Sequence, residues 1–244
     1  MEKQNIKNLD WDTMFFGYKV AKLEGPLDAT FLSASLQTLT TEGVRIAYWF
    51  VEPTDDAANA AAKELGGVLV DEKITFAREV NNDLSQPELN EREAMVSYIN
   101  RDYLPVLDLA LQSGEYSRFK SDPHFKNCEF ERLYSEWIRK SVSGELAFEV
   151  LVFESEGKPS GLITLENRGE YGNIGLLSVD RVFRRQGIAT KLVQEALIIF
   201  RNKGITVVKV PTQLQNEAAC AFYQKLGFTE ENSVNIYHFW LYEK

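Results

Sequence analysis

The stretch from Ile174 to Leu192 restricts what this chain can fold into more than any other. Ile174-Gly175-Leu176-Leu177-Ser178-Val179 is a short apolar run between Gly172-Asn173 and Asp180-Arg181, the pattern of a buried strand. From Ile188 onward, apolar residues recur at Ile188, Leu192, Ala196 and Ile199, with Ala189, Val193, Leu197 and Phe200 beside them. Lys191, Gln194, Glu195 and Arg201 are left for solvent, so this is the period of an amphipathic helix. Arg184-Arg185-Gln186-Gly187-Ile188-Ala189 joins strand to helix. The first turn of a helix has no internal partners for its N–H groups. Those donors, the positive helix end and two arginines suit a pyrophosphate. Gly187 lets a ligand approach the backbone, and Ala189 keeps the next turn thin. An ordinary strand–helix corner with solvated arginines has the same spacing.

A second block follows. Ile205 to Val210 is β-branched and alternating, a strand. Asn216 reads as a helix N-cap, and the helix runs through Cys220, Phe222, Tyr223 and Leu226 to stop at Gly227. Val234 to Tyr242 reads as a last strand.

Arg-Arg-Gln-Gly-Ile-Ala at 184–189 resembles the Gln/Arg-x-x-Gly-x-Gly/Ala signature of the GCN5-related N-acetyltransferases (GNAT). Gln-x-x-Asn-x-x-Ala-x-x-Phe-Tyr-x-x-x-Gly-Phe at 213–228 resembles their second hallmark, in the right order and spacing. The resemblance implies a mixed α/β sheet and acetyl-coenzyme A. It would set the coenzyme's pyrophosphate on Arg184, Arg185, Gln186, Gly187, Ile188, Ala189 and Thr190. Its pantetheine arm would run along Leu177, Ser178 and Val179, with a developing oxyanion met by backbone N–H near Ser178–Val179. Asn216 aligns with an asparagine that touches the arm, although capping alone explains an asparagine there. Tyr223 aligns with the general acid that protonates the departing thiolate; by itself it would be a core aromatic. Glu166, at the end of a predicted strand Gly161–Glu166, is a candidate general base if burial raises its pKa, and otherwise a solvent-facing glutamate. Cys220 has no histidine nearby in sequence, which favours direct transfer over a covalent acyl-enzyme.

Composition narrows the rest. The chain has 244 residues, 44% hydrophobic and 26% charged, enough for one large or two small packed domains. A formal net charge of −9 argues against non-specific nucleic-acid binding. The two cysteines, Cys128 and Cys220, exclude a disulfide framework, and no Cys/His cluster has metal spacing. Met1 to Asn5 opens without the apolar core of a secretory signal, and no apolar run is long enough for a membrane span. A cytoplasmic protein without a membrane partner is expected, with room for a homodimer.

The first half reads as strand, helix, strand, helix, strand across 9–80: Val20–Leu23, Leu27–Thr41, Val44–Val51, an alanine-rich helix capped at Thr54-Asp55-Asp56, and Val68–Ala77. Residues 1–85 would form a shortened companion α/β domain and 91–244 the catalytic domain, joined by a polar linker at 81–90. Glu91–Asn100 is a helical or extended start, and a helix follows with Pro105 in its first turn. Asp-Trp-Asp-Thr-x-Phe-Phe-Gly at 10–17 resembles the opening of the TDP-fucosamine acetyltransferase branch, as does Ser-Arg-Phe at 117–119. That branch implies an amino sugar on a nucleotide diphosphate as acceptor. Phe16, Tyr116, Arg118, Phe119 and His124 are then candidate substrate contacts: aromatics to stack, Arg118 (with Lys120) for phosphates, His124 as a base. Core packing for Phe16 and a surface loop at 114–125 are the competing readings. Another small amine, a peptide N-terminus or lysine, or a coenzyme-binding module without turnover, are the alternative functions.

Overall fold

The computed structural model describes residues 5–81 and 84–241. The chain start at 1–4, residues 82–83 of the expected linker, and Tyr242 of the last predicted strand lie outside them. In order, the elements are β1 (Ile6–Asn8), α1 (Asp10–Phe16), β2 (Val20–Leu23), α2 (Ala29–Thr41), β3 (Ile46–Val51), α3 (Asp56–Glu64) and β4 (Val68–Glu79). Then come β5 (Glu93–Ser97), a 3-10 turn (Leu104–Val106), α4 (Leu107–Ser113), α5 (Arg118–Ser121), α6 (Glu129–Val142), β6 (Glu149–Ser155), β7 (Lys158–Asn167) and β8 (Gly172–Val179). A 3-10 turn (Arg181–Phe183), α7 (Ile188–Asn202), β9 (Val207–Gln213), α8 (Glu217–Lys225) and β10 (Thr229–Trp240) complete the chain. The aromatic stretch at 10–16 is a helix closed by Gly17 in the left-handed region, and 93–97 is extended rather than helical.

The contacts divide the chain into two units. The first takes residues up to Ile74 and those from Asn232 onward; the second is Thr75–Glu231. The chain passes from one to the other inside β4 and returns inside β10.

In the first unit the strand order is β1-β2-β3-β10-β4. β2 and β3 are parallel, and β10 joins antiparallel with Tyr237 opposite Trp49. Asp28 caps α2 by accepting from Phe31 N at 2.9 Å, and Asp55 caps α3 by accepting from Ala58 N at 3.0 Å. The apolar stripes of both helices, Leu32, Leu36 and Leu39 with Ala58, Ala61 and Ala62, bury against Ala47, Trp49, Tyr237 and Phe239.

In the second unit the order is β4-β9-β8-β7-β6-β5. β5 through β8 pair antiparallel, and β9 runs parallel to β8. The β6–β7 hairpin turns on Glu156 and Gly157, both at positive φ, the geometry that matches strand twist. Helix α7 lies against β7, where Gly161 has no side chain to keep Ile188 and Leu192 away. Side chains alternate along a strand, so Ser178, next to the partner of Gly161, faces the other side and donates to the Leu109 carbonyl of α4 at 2.6 Å. The sheet is therefore mixed and covered by helices on both faces, as the α/β reading expects.

Candidate active site

The site begins at an unused strand edge. Asp180 N donates to Ser160 O at 2.9 Å, which makes 160 and 180 a hydrogen-bonded pair. Antiparallel pairs alternate between bonded and open, so Ser178 is tied to Leu162 while Leu177 and Val179 turn their N–H and C=O groups away from β7. On that side β9 pairs with β8 at Gly172–Val208 and Asn173–Lys209, before the strands diverge. The divergence opens a cleft of about 400 Å³. Leu177, Ser178 and Val179 form one wall, and Asn216 with Ala218, Ala219, Phe222 and Tyr223 of α8 another. Gln112, Ser113, Glu115 and Tyr116 close it from the end of α4.

The first turn of α7 opens into the same cleft through Gly187, Ile188, Ala189 and Thr190, with Phe183, Arg184 and Arg185 beside it. Unlike α2, α3 and α8, α7 has no side-chain cap. Its first internal bond is Lys191 N to Gly187 O at 3.1 Å, so the amides of Ile188, Ala189 and Thr190 lie ahead of the helical ladder. Gly187 sits at φ 82°, a conformation that glycine adopts freely, with open space where a Cβ would be. Arg185 is also left-handed, at φ 64°. Arg184 reaches back: its Nε donates to Val179 O at 3.0 Å and its Nη2 to Gln112 at 3.4 Å.

This donor set fits coenzyme A. An uncapped helix end flanked by arginines takes a pyrophosphate. A strand edge with two amides free along one side takes an extended arm that carries amides of its own.

Tyr223 lines the cleft at 5% exposure, its ring against Phe76 and Phe228 at 5.9 and 5.7 Å. Burial pushes the Tyr223 phenol above the ordinary tyrosine range, so it keeps its proton. Asn216 faces the cleft and also caps α8 by accepting from Ala219 N at 3.2 Å. Burial raises the Cys220 thiol too, which makes it a poor nucleophile, and Cys220 does not line the cleft.

The structure gives several of the expected site residues other partners or other places. Ser178 keeps neither donor for a ligand: its amide faces β7 and its hydroxyl is on Leu109. Gln186 is exposed outside the cleft lining. Glu166 is 1% exposed, not solvent-facing, and it does not line the cleft; Arg168 and Asn173 hold its Oε2. Phe16 is buried in the first unit, stacked on Tyr18 at 5.7 Å and edge-on to Phe15 at 5.1 Å. Of the 114–125 loop candidates, only Tyr116 lines the cleft. Arg118 lies over the Phe119 ring, Phe119 packs on Phe125, and His124 Nδ1 is 2.8 Å from the buried Asp122. These residues build the loop itself, including the short helix α5.

Gln112, Ser113, Glu115, Phe183, Ala218, Ala219 and Phe222 are cleft residues that the sequence reading did not single out. The small pair Ala218-Ala219 beside the Asn216 cap was the available signal: a thin first turn lets a ligand pass close.

A sheet split beside an uncapped helix, with a protonated phenol in the gap, defines an acyl-coenzyme A transferase type of fold. Residues 111–228 match the family described as Acetyltransferase (GNAT) family, and the chain carries a GNAT acetyltransferase domain. GNAT acetyltransferases use acetyl-coenzyme A. The dTDP-fucosamine acetyltransferase of Escherichia coli O6:H1 is 27% identical over 247 residues, 98% of each chain. The spore coat polysaccharide biosynthesis protein SpsD of Bacillus subtilis is 27% identical over 158 residues, covering 65% of this chain and 50% of that protein. This chain thus spans about half the length of SpsD. A GCN5-related N-acetyltransferase from Sphaerobacter thermophilus superposes with a TM-score of 0.69 at 16% identity, over 98% of this chain and 76% of that one.

Proposed function

We propose that the protein moves the acetyl group of acetyl-coenzyme A onto a primary amine, and that this amine belongs to a nucleotide-linked amino-deoxy sugar. One observation carries the transfer: the free edge of β8, the uncapped start of α7 and Tyr223 share one cleft. The end-to-end similarity to a dTDP-fucosamine acetyltransferase supports the acceptor class.

Acetyl-coenzyme A supplies an acyl group activated as a thioester. The chain binds and orients. The amides of Ile188, Ala189 and Thr190, with Arg185, neutralise the pyrophosphate. The amides of Leu177 and Val179 align the arm and offer a donor where negative charge develops on the acyl oxygen. Tyr223 holds a proton on Oη for the departing sulfur, and its raised pKa keeps that proton in place at neutral pH. The amine must be neutral to attack.

The test is a transfer screen by mass spectrometry against dTDP-4-amino-4,6-dideoxygalactose, simple amines and peptides, with coenzyme A binding followed by calorimetry. Acetylation of the sugar nucleotide well above the other amines is expected. Preference for a small amine or a peptide overturns the acceptor assignment. Tight coenzyme binding with no acceptor acetylated overturns catalysis and leaves a binding module.

A further inference from the structure

Strand β8 does not keep one register along β7, and the change decides which amides face the cleft. At the hairpin end, Arg168 N donates to Tyr171 O at 2.9 Å. Counting from there, Glu166–Asn173 is a bonded pair and Leu165–Ile174 an open one. A regular ladder would next bond Thr164 to Gly175, leave Leu176 open, and tie the amides of Leu177 and Val179 to β7. The other end, set by Asp180 N on Ser160 O, requires the reverse. The two counts are reconciled by a β-bulge: Gly175 and Leu176 both sit opposite Thr164, between the pairs Leu165–Ile174 and Ile163–Leu177. Without that extra residue every amide along the cleft edge would face the other way.

We infer that Thr164 is a positioning residue, whose hydroxyl holds this bulge and so aims the Leu177 amide into the cleft to meet the acyl oxygen. The inference rests on the coenzyme reading above. Thr164 is fully buried, and its Oγ1 accepts from Leu176 N at 2.8 Å. The amide displaced from the ladder is thereby satisfied by a side chain, which a buried donor requires. Gly175 completes the lock. A Cβ there would overlap Glu166 Oε1 and lie 2.9 Å from Thr164 Oγ1. Glu166 cannot yield, since Arg168 and Asn173 hold its other oxygen. Its Oε1 has no hydrogen-bond partner among the described residues; it fills the space that Gly175 leaves. Glu166 thus acts as a wedge under the bulge, a role that neither sequence reading of it, candidate base or solvent-facing glutamate, contained.

The experiment compares Thr164→Val, which removes the acceptor, with Thr164→Ser, which keeps it. Two readouts need no acceptor amine: exchange of the Leu176 amide by NMR in the coenzyme-free protein, and affinity for acetyl-coenzyme A against coenzyme A. In Thr164→Val we expect Leu176 protection to fall and acetyl-coenzyme A to bind about tenfold more weakly, the loss of roughly one hydrogen bond. Coenzyme A, which lacks the carbonyl, should stay within about twofold by the same reasoning. Thr164→Ser should restore both. If Thr164→Val does not fold, Thr164→Cys, similar in volume and a weak acceptor, should give the same pattern. An unchanged ratio of the two affinities overturns the inference. So does an equal loss for both ligands that Thr164→Ser fails to repair, since that marks a merely structural residue. If wild type binds neither ligand, the coenzyme reading fails, and Leu176 exchange still judges the bulge.

Discussion

Gly161 is where packing of the sheet sets the position of the anion-binding turn. A methyl group at this position would lie 2.8 Å from Ile188 Cγ2 and 2.9 Å from Leu192 Cδ1. That is about 0.8 Å inside ordinary carbon–carbon contact. Ile188 is β-branched and stiff, both side chains are buried, and Ile188 is the first residue of α7. The relief available is to lift the start of α7 by a similar amount. Overpacking of this kind costs about 1–3 kcal/mol. At about 2 kcal/mol, Tm should fall by roughly 4–8 °C for a chain of this size. The same lift stretches an amide–phosphate bond of about 2.9 Å to roughly 3.7 Å, beyond bonding distance. Losing one bond to a charged group, worth about 1.5–3 kcal/mol, weakens coenzyme A at least about tenfold. Gly161→Ala is therefore expected to lower Tm in a thermal scan and to raise the Kd for coenzyme A in calorimetry. Adding Ile188→Ala, which removes the nearer clash, should recover part of both. A lower Tm with unchanged Kd would show that α7 does not carry the coenzyme's phosphates. If neither changes, the packing argument itself is wrong.

Tyr223→Phe should leave coenzyme A affinity and Tm close to wild type, because the ring packing on Phe76 and Phe228 survives. Steady-state kcat with the best acceptor should drop about 100-fold, the lower range for a general acid; an unchanged kcat refutes the assignment. With burial raising the Tyr223 pKa, the wild-type rate should show no alkaline fall from loss of the Tyr223 proton below about pH 10, the ordinary tyrosine value. The Lys191 ammonium, 2.6 Å away, holds the Glu93 carboxyl below its usual range. A lowered folded-state pKa gives stability that is present above the unfolded value and lost as pH falls through the folded one. Glu93→Gln should thus lose about 1 kcal/mol near neutrality, with the gap to wild type closing below about pH 4, read from Tm against pH. A fragment of residues 75–231 should fold, whereas 91–231 should not, by circular dichroism. The shorter piece lacks the Phe76 ring beside Tyr223, the Arg78 guanidinium on the Leu226 carbonyl, and the Val80 N–H on Thr206 O.

What the sequence disclosed was local. Periodicity and caps located α2, α3, α7 and α8 to within a few residues; Asp55 and Asn216 mark helix starts by bonds to a neighbour three positions on. The strand–turn–helix from β8 into α7 was equally legible, since its pattern needs no distant partner. What stayed hidden depends on residues far apart in the chain. The β8 bulge exists through Thr164 and Glu166 on another strand, and in sequence Gly175 is merely a glycine inside a strand pattern. Glu166 looked exposed because its partners, Arg168 and Asn173, are set by the hairpin and not by composition. Phe16 and the Arg118–His124 residues looked like ligand contacts because aromatic and charged side chains serve binding and packing alike. Gln112 and Glu115 reach the cleft only because α4 lies over β8.

The return of the chain through β10 sets an order of events during synthesis. β3 is made early, yet its antiparallel neighbour, beginning at Asn235 opposite Val51, emerges only after the whole second unit has been translated. At ordinary elongation rates the half-built first unit waits roughly 10–40 s for that strand. Throughout the wait one flank of β3 has backbone groups with no mate, a vulnerable period for the nascent protein in which chaperones or ribosomal shielding must stand in for the missing strand.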